Sequence, residues 1–225
     1  MRGVFVTGTG TGVGKTILAG AICAALAARG ERVAAFKPAL TGLDEPPGRF
    51  AFDHELLAAA AGSGQRPESV APWRYGPALS PHLAAALADQ RIDVEALPAA
   101  AHRAAAEAGA DVLVCEGVGG LLVPLAERYL VRDLAVALGL PVVIATRPGL
   151  GTINHTLLTV EAARTAGLNV AGVVMTPWPE QPEPIAVSNR AAVTELAHAA
   201  VSGLAPTHPD ALAAAGAALP LDDWL

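Results

Sequence analysis

The sequence predicts an α/β fold of three layers: a mostly parallel sheet with helices on both faces. Two observations carry this. Short apolar runs rich in β-branched residues alternate with longer stretches rich in Ala and Leu, and strands separated by helices imply βαβ crossovers and a parallel sheet. A glycine-rich turn also joins the first apolar run directly to the first helical one. In such sheets ligands bind beyond the carboxyl ends of the strands, so the loops after the strands are where chemistry is expected.

In chain order, residues 4–7 read as a strand, 15–29 as a helix and 32–37 as a second strand. Residues 111–116, 141–146 and 169–176 read as three more strands, each preceded by a helical segment that stops near Gly109, Gly139 or Gly167. Glycine ends helices because the left-handed conformation costs it nothing sterically. The Ala-rich tracts 83–88 and 99–108 are helix formers. The Pro-rich segments 45–48 and 177–184 read as loops, since proline lacks the donor that helices and sheets need. From Ser202 onward the pattern is weak, and no element is assigned there.

The chain has 225 residues, 52% of them hydrophobic and 16% charged, enough to bury the core of one domain spanning 1–225. A net charge of −6 argues against a surface built for nucleic acid or anionic lipid. The uncharged apolar stretch 134–146 is broken by Pro141 and falls short of the about 20 residues of a membrane span. The first residues lack the apolar segment of a secretory signal. Cys23 and Cys115 lie in apolar runs without metal-ligand spacing, so both are expected to be reduced core residues. A cytoplasmic location is expected.

The strongest motif runs from Gly8 to Thr16, with Gly10, Thr11, Gly12, Val13, Gly14 and Lys15 between, directly after the first strand. Four glycines let backbone N–H groups turn around an anion, and the helix N-terminus adds partial positive charge. Lys15 is expected on the β- and γ-phosphates and the Thr16 hydroxyl on Mg2+. The strict phosphate-loop pattern places glycine five positions before Gly14, where Thr9 stands, so this loop is a variant. A dinucleotide fingerprint fails because its third glycine falls on Val13. Only two lysines occur, Lys15 and Lys37, against thirteen arginines. A compact ammonium just beyond two strands marks places where a planar guanidinium does not fit.

Glu116 ends the third strand before Gly117, Gly119 and Gly120. A carboxylate closing so apolar a run calls for a metal or cation, and the glycines permit close approach to a γ-phosphate. Asp53 reads equally as a helix N-cap and as a metal ligand, with Glu55 a competitor. Ser80 and Pro81 suit a helix start, beside His82. Thr152, Ile153 and Asn154 open a helix after the fourth strand, where free amides could hold a carboxylate, with Thr152 the alternative cap.

Together these blocks resemble the dethiobiotin synthetases. The resemblance rests on the loop 6–16, Lys37-Pro38-x-x-Thr41-Gly42, Ser80-Pro81-His82, Glu116-Gly117-x-Gly119-Gly120-Leu121-x-x-Pro124-Leu125 and Gly151-Thr152-Ile153-Asn154-His155-Thr156. It implies a fold of the P-loop NTPase kind and an ATP-dependent cyclo-ligase of biotin biosynthesis. Such an enzyme joins CO2 to the two amines of 7,8-diaminononanoate through a carbamate and a carbamic-phosphoric anhydride, and releases ADP and phosphate. By that resemblance Thr16, Asp53 and Glu116 hold Mg2+, and Thr11, Lys15, Lys37 and Thr41 meet substrate and carbamate. It also implies a homodimer in which the substrate carboxylate meets Thr152–Asn154 of the other subunit. Lys15 and Lys37 are then the catalytic cations.

The chain departs from that pattern. Gly10 and Gly12 stand where many of those synthetases carry Asp and Glu. Met175, Thr176 and Pro177 stand where an Asn often reads the adenine, so another nucleoside triphosphate could serve. Ser188, Asn189 and Arg190 have no assigned place. A partitioning or regulatory ATPase of the same fold is the alternative, opposed by the missing second lysine near Gly10. A glutamine-dependent amidoligase needs a further domain with a nucleophilic Cys.

Overall fold

Alternation along each strand decides which layer a side chain enters, and it sorts the core into two halves. In the computed structural model, which describes residues 1–47 and 50–225, β1 (Arg2–Gly8) turns Val4 and Val6 towards one layer and Phe5 towards the other. The helix α1 (Lys15–Ala28) covers the first of these faces through Leu18, Ile22 and Leu26. The chain then runs through β2 (Val33–Phe36), α2 (Asp53–Ala61), α3 (Pro67–Val70), α4 (Pro81–Leu87) and α5 (Leu97–Glu107) to β3 (Val112–Glu116). Next come β4 (Pro124–Ala126), β5 (Tyr129–Leu130), α6 (Val131–Leu138), β6 (Val142–Thr146), α7 (Thr152–Thr165), β7 (Val170–Met175), α8 (Pro184–Ala197) and β8 (Val201–Gly203). A 3-10 turn, α9 (Leu212–Ala217) and α10 (Leu221–Trp224) close the chain.

The main sheet has the order β2-β3-β1-β6-β7-β8, and every pairing in it is parallel. The three-layer expectation therefore holds. The chain leaves β1 towards β2 on one side and leaves β3, the neighbour of β1, towards β6 on the other, and the crevice at such a switch point is where a ligand is expected. The predicted strands and first helix are present with ends shifted by a residue or two. The helices before β3, β6 and β7 stop at Gly109, Gly139 and Gly167, all at positive φ. Cys23 and Cys115 are free and buried on opposite faces of the sheet, and burial pushes both thiols upward.

Two regions differ from expectation. Residues 124–130 form a small antiparallel ladder, β4 with β5. The tail is ordered structure: β8 adds a sixth strand, and α9 lies so close to α1 that a Cβ on Gly216 would stand 2.0 Å from the Ala21 carbonyl oxygen. Trp224 is buried against Gly172. A three-residue strand and an Ala-rich turn of helix carry no periodicity long enough to read. Gly48, which ends the first Pro-rich segment, lies outside the described residues. Among those described, no helix is long and apolar enough to cross a membrane.

Candidate active site

The loop between β1 and α1 is held by its own backbone needs. Gly14, at the helix N-cap, has φ +92°, a conformation that disfavours any side chain. A Cβ there would also meet the Thr176 methyl at 2.6 Å. Lys15 folds back so that its ammonium donates to the Gly10 carbonyl at 2.8 Å. Burial with so weak a partner lowers its pKa to about 8, even though Glu116 pulls the other way.

Lys37 follows β2, where its N–H is tied to the Val70 carbonyl at 2.8 Å. Its ammonium donates to Asp53 Oδ2 and to Glu116 Oε1, each at 2.7 Å. The Thr16 hydroxyl donates to the same Glu116 Oε1 at 2.9 Å. Burial opposes the charge on Lys37, but two carboxylates outweigh it and hold the pKa above the usual lysine value. For Asp53, with its side chain 37% exposed, burial is outweighed by Lys37 and the pKa falls. For Glu116, with its side chain 1% exposed, burial wins over Lys37 and the pKa rises.

The cap reading of Asp53 falls here. Phe52 occupies the N-cap of α2, and Glu55 Oε2 accepts the Phe52 N–H at 3.2 Å. Glu55 does the capping and Asp53 is free to face Lys37. Among the described residues, Glu116 Oε2 is buried with no hydrogen-bond partner, an arrangement costly unless something else binds it. A hydroxyl and two carboxylates are the hard oxygen donors that Mg2+ takes, and Mg2+ commonly combines one or two carboxylates with phosphate oxygens and water. The residues fit that ion.

These groups line a cavity of about 370 Å3 together with Thr11, Gly12, Gly14, Thr41 and Gly119. Gly10, Thr11 and Gly120 also line a second cavity of about 430 Å3, walled by Leu121, Leu122, Val123, His155 and Leu158. A glycine-rich anion loop, two buried cations and two carboxylates in one crevice suit a reaction in which phosphoryl charge is neutralised and positioned.

Residues 2–214 match the AAA domain family. The ATP-dependent dethiobiotin synthetase of Anaeromyxobacter dehalogenans (strain 2CP-C) is 42% identical over 93% of this chain and 92% of its own length. That of Mycobacterium avium (strain 104) is 41% identical over 96% and 91%, and that of Bacillus velezensis 36% over 92% and 87%. The chain belongs to the dethiobiotin synthetase family. Among solved structures, the MinC:MinD cell division complex of Aquifex aeolicus is similar at TM-score 0.55 and 16% identity, covering 99% of this chain and 89% of that one. Chloroplast FtsY from Physcomitrella patens is similar at 0.52 and 17%, covering 96% and 64%. At these identities the likeness is one of fold.

The other predicted site residues of this family member are spread more widely. Val13 and Met175 bury their side chains in the core, which leaves only their backbone for a nucleotide. Thr176 packs on Gly14, and Pro177 follows it through a cis peptide. Gly117 is packed against Phe5 and Val131 and lines neither cavity. Thr152 is not the cap of α7: Gly151 is, and the Thr152 hydroxyl turns inward to Thr146 at 2.7 Å. The Thr152 N–H meets the Gly149 carbonyl at 3.3 Å, which narrows the expected anion site to the amides of Ile153 and Asn154. His82 is exposed and lines neither cavity. Asn189 donates to the Pro148 and Gly149 carbonyls, Arg190 donates to the Val201 carbonyl and lies over Trp178, and Ser188 is exposed. Sequence reasoning missed Leu40 and Phe50, which line the first cavity, and it missed Arg147, whose contact with the loop spans most of the chain.

Proposed function

We propose that this single-domain chain is an ATP-dependent ligase that closes the cyclic urea of dethiobiotin from 7,8-diaminononanoate and CO2, releasing ADP and phosphate. The observation that carries the reading is the Lys37 ammonium, buried between Asp53 and Glu116 at 2.7 Å each on the wall shared with Lys15, Thr11 and Thr41. One amine adds to CO2 and loses a proton, giving a carbamate. A carbamate oxygen attacks the γ-phosphorus, and ADP leaves. The second amine then attacks the carbamoyl carbon, expels phosphate and closes the ring.

Two anions must meet in the middle step, and their repulsion is the barrier the site has to lower. Lys15 and Lys37 supply positive charge on either side, while Thr11 and Thr41 orient the carbamate. Amides of the loop 10–16 hold the phosphates, with Gly119 and Gly120 leaving room beside the terminal one. The backbone at 175–177 faces the base. Mg2+, held by Thr16, Asp53 and Glu116, supplies further charge neutralisation when bound. The apolar walls of the second cavity suit the hydrocarbon chain of the diamine. A second copy supplies the Ile153 and Asn154 amides to the substrate carboxylate, and the exposed Leu122, Leu150 and Leu158 suit a homodimer face. The setting we assign is the cytoplasm.

The test is phosphate release from ATP. The reading requires release that depends on both diaminononanoate and bicarbonate and equals the dethiobiotin formed. Release independent of the diamine would instead point to a regulatory ATPase.

A further inference from the structure

The anion loop contains four glycines between residues 8 and 14, so its shape is costly in backbone entropy unless something outside fixes it. Three consecutive residues leaving β6 grip it. The Ala145 carbonyl accepts the Thr9 N–H at 3.0 Å, and the Thr146 and Thr9 hydroxyls stand 3.2 Å apart. The Arg147 guanidinium donates twice to the Gly12 carbonyl, from Nη2 at 2.6 Å and from Nε at 3.1 Å.

Arg147 is exposed, yet its backbone is set from both sides. The Thr146 hydroxyl lies within 2.7 Å of that of Thr152 and accepts from that of Thr156 at 3.1 Å. Asn189 of α8 donates to the next two carbonyls, those of Pro148 and Gly149, at 2.9 and 3.0 Å. Arg147 is therefore presented to the loop by a braced segment.

The geometry points to Arg147 as a positioning residue for the nucleotide phosphates. The Gly12–Val13 peptide is trans, so its C=O and N–H point in opposite directions. Fixing the Gly12 carbonyl towards Arg147 fixes the Val13 N–H away from it, before any nucleotide arrives. Gly12, at φ +71° and without a side chain, could otherwise let that peptide rotate. Arg147 pre-pays the ordering that an anion would have to impose. The role concerns phosphates alone and is indifferent to the base.

It rests on the proposed function only in taking a nucleoside triphosphate as ligand, and a binding titration needs no turnover. Calorimetric titration with inorganic tripolyphosphate and with a non-hydrolysable ATP analogue, on the wild type, Arg147→Ala and Arg147→Lys, tests it. In Arg147→Ala both ligands weaken by roughly five- to tenfold, the KM for the nucleotide rises by more than kcat falls, and Tm is unmoved. Arg147→Lys recovers only part of the loss, since one ammonium cannot reproduce the two-donor fork. Unchanged affinity in Arg147→Ala overturns the inference. So does weakened binding of the analogue alone, a fall in kcat with affinity intact, or full recovery by lysine. Should Arg147→Ala fold poorly, Asn189→Ala, which loosens the bracing segment, must weaken tripolyphosphate in the same sense or the inference fails.

Discussion

The two lysines stand on the wall of one cavity, both buried, and their electrostatic circumstances are opposite. Lys15 has a neutral carbonyl for a hydrogen-bond partner, and burial brings its pKa down to about 8. Lys37 is clamped by two carboxylates that raise its pKa. An ammonium short of counter-charge is one prepared for an anion. An ammonium already neutralised must give up its partners before it can serve another, and the Mg2+ we propose at Asp53 and Glu116 would compete for those partners. From this contrast we propose that Lys15 holds the nucleotide and Lys37 serves the reaction that follows.

Substitution at Lys37 should have the largest effect. Lys37→Met lowers turnover by about 100- to 1,000-fold, while nucleotide affinity measured by titration changes little. An equal loss of both would erase the division between the lysines. The same variant leaves Asp53 and Glu116 without their cation, at a cost on the order of 3 kcal/mol at pH 7.5. The sign of its pH dependence follows from Glu116, whose folded-state pKa already lies above the usual value. As pH falls towards that raised value the carboxyl takes a proton and the penalty shrinks. Denaturant unfolding at pH 5.5 should show a smaller deficit than at 7.5.

Lys15→Met acts on binding as well, with nucleotide affinity falling by roughly 10- to 100-fold. The smallest effect needs no substitution. The ammonium form of Lys15 binds phosphate, and with a pKa of about 8 it is lost as pH rises through that value. Nucleotide affinity should be level below about pH 7 and weaken above 8, approaching tenfold per pH unit. Lys15→Met removes this dependence. A flat wild-type profile to pH 9.5 would show that Lys15 is better paired than its surroundings indicate.

What could be read from the sequence divides along the same physical line. The loop 8–16 and the end of β3 were legible because glycine, lysine and glutamate there answer to local needs: a tight turn, a helix start, a carboxylate closing an apolar run. Asp53 was ambiguous because a cap and a ligand look alike locally. The Phe52 N-cap and the capping by Glu55 removed the first of the two readings. Thr152 reads as a cap until β6 brings Thr146 beneath it. Nothing local distinguishes Arg147 from the other arginines, since its partner Gly12 lies on another element. The strand β8 and helix α9 were invisible because each is stabilised by what it packs on rather than by its own pattern.

A crystal structure with diaminononanoate, CO2, Mg2+ and a non-hydrolysable ATP analogue would show where Lys37 goes. Its Nζ should have left the clamp and lie within hydrogen-bond distance of both a carbamate oxygen and the terminal phosphate. A Lys37 that points to solvent, or remains between Asp53 and Glu116 beside a fully formed ternary complex, would contradict that expectation.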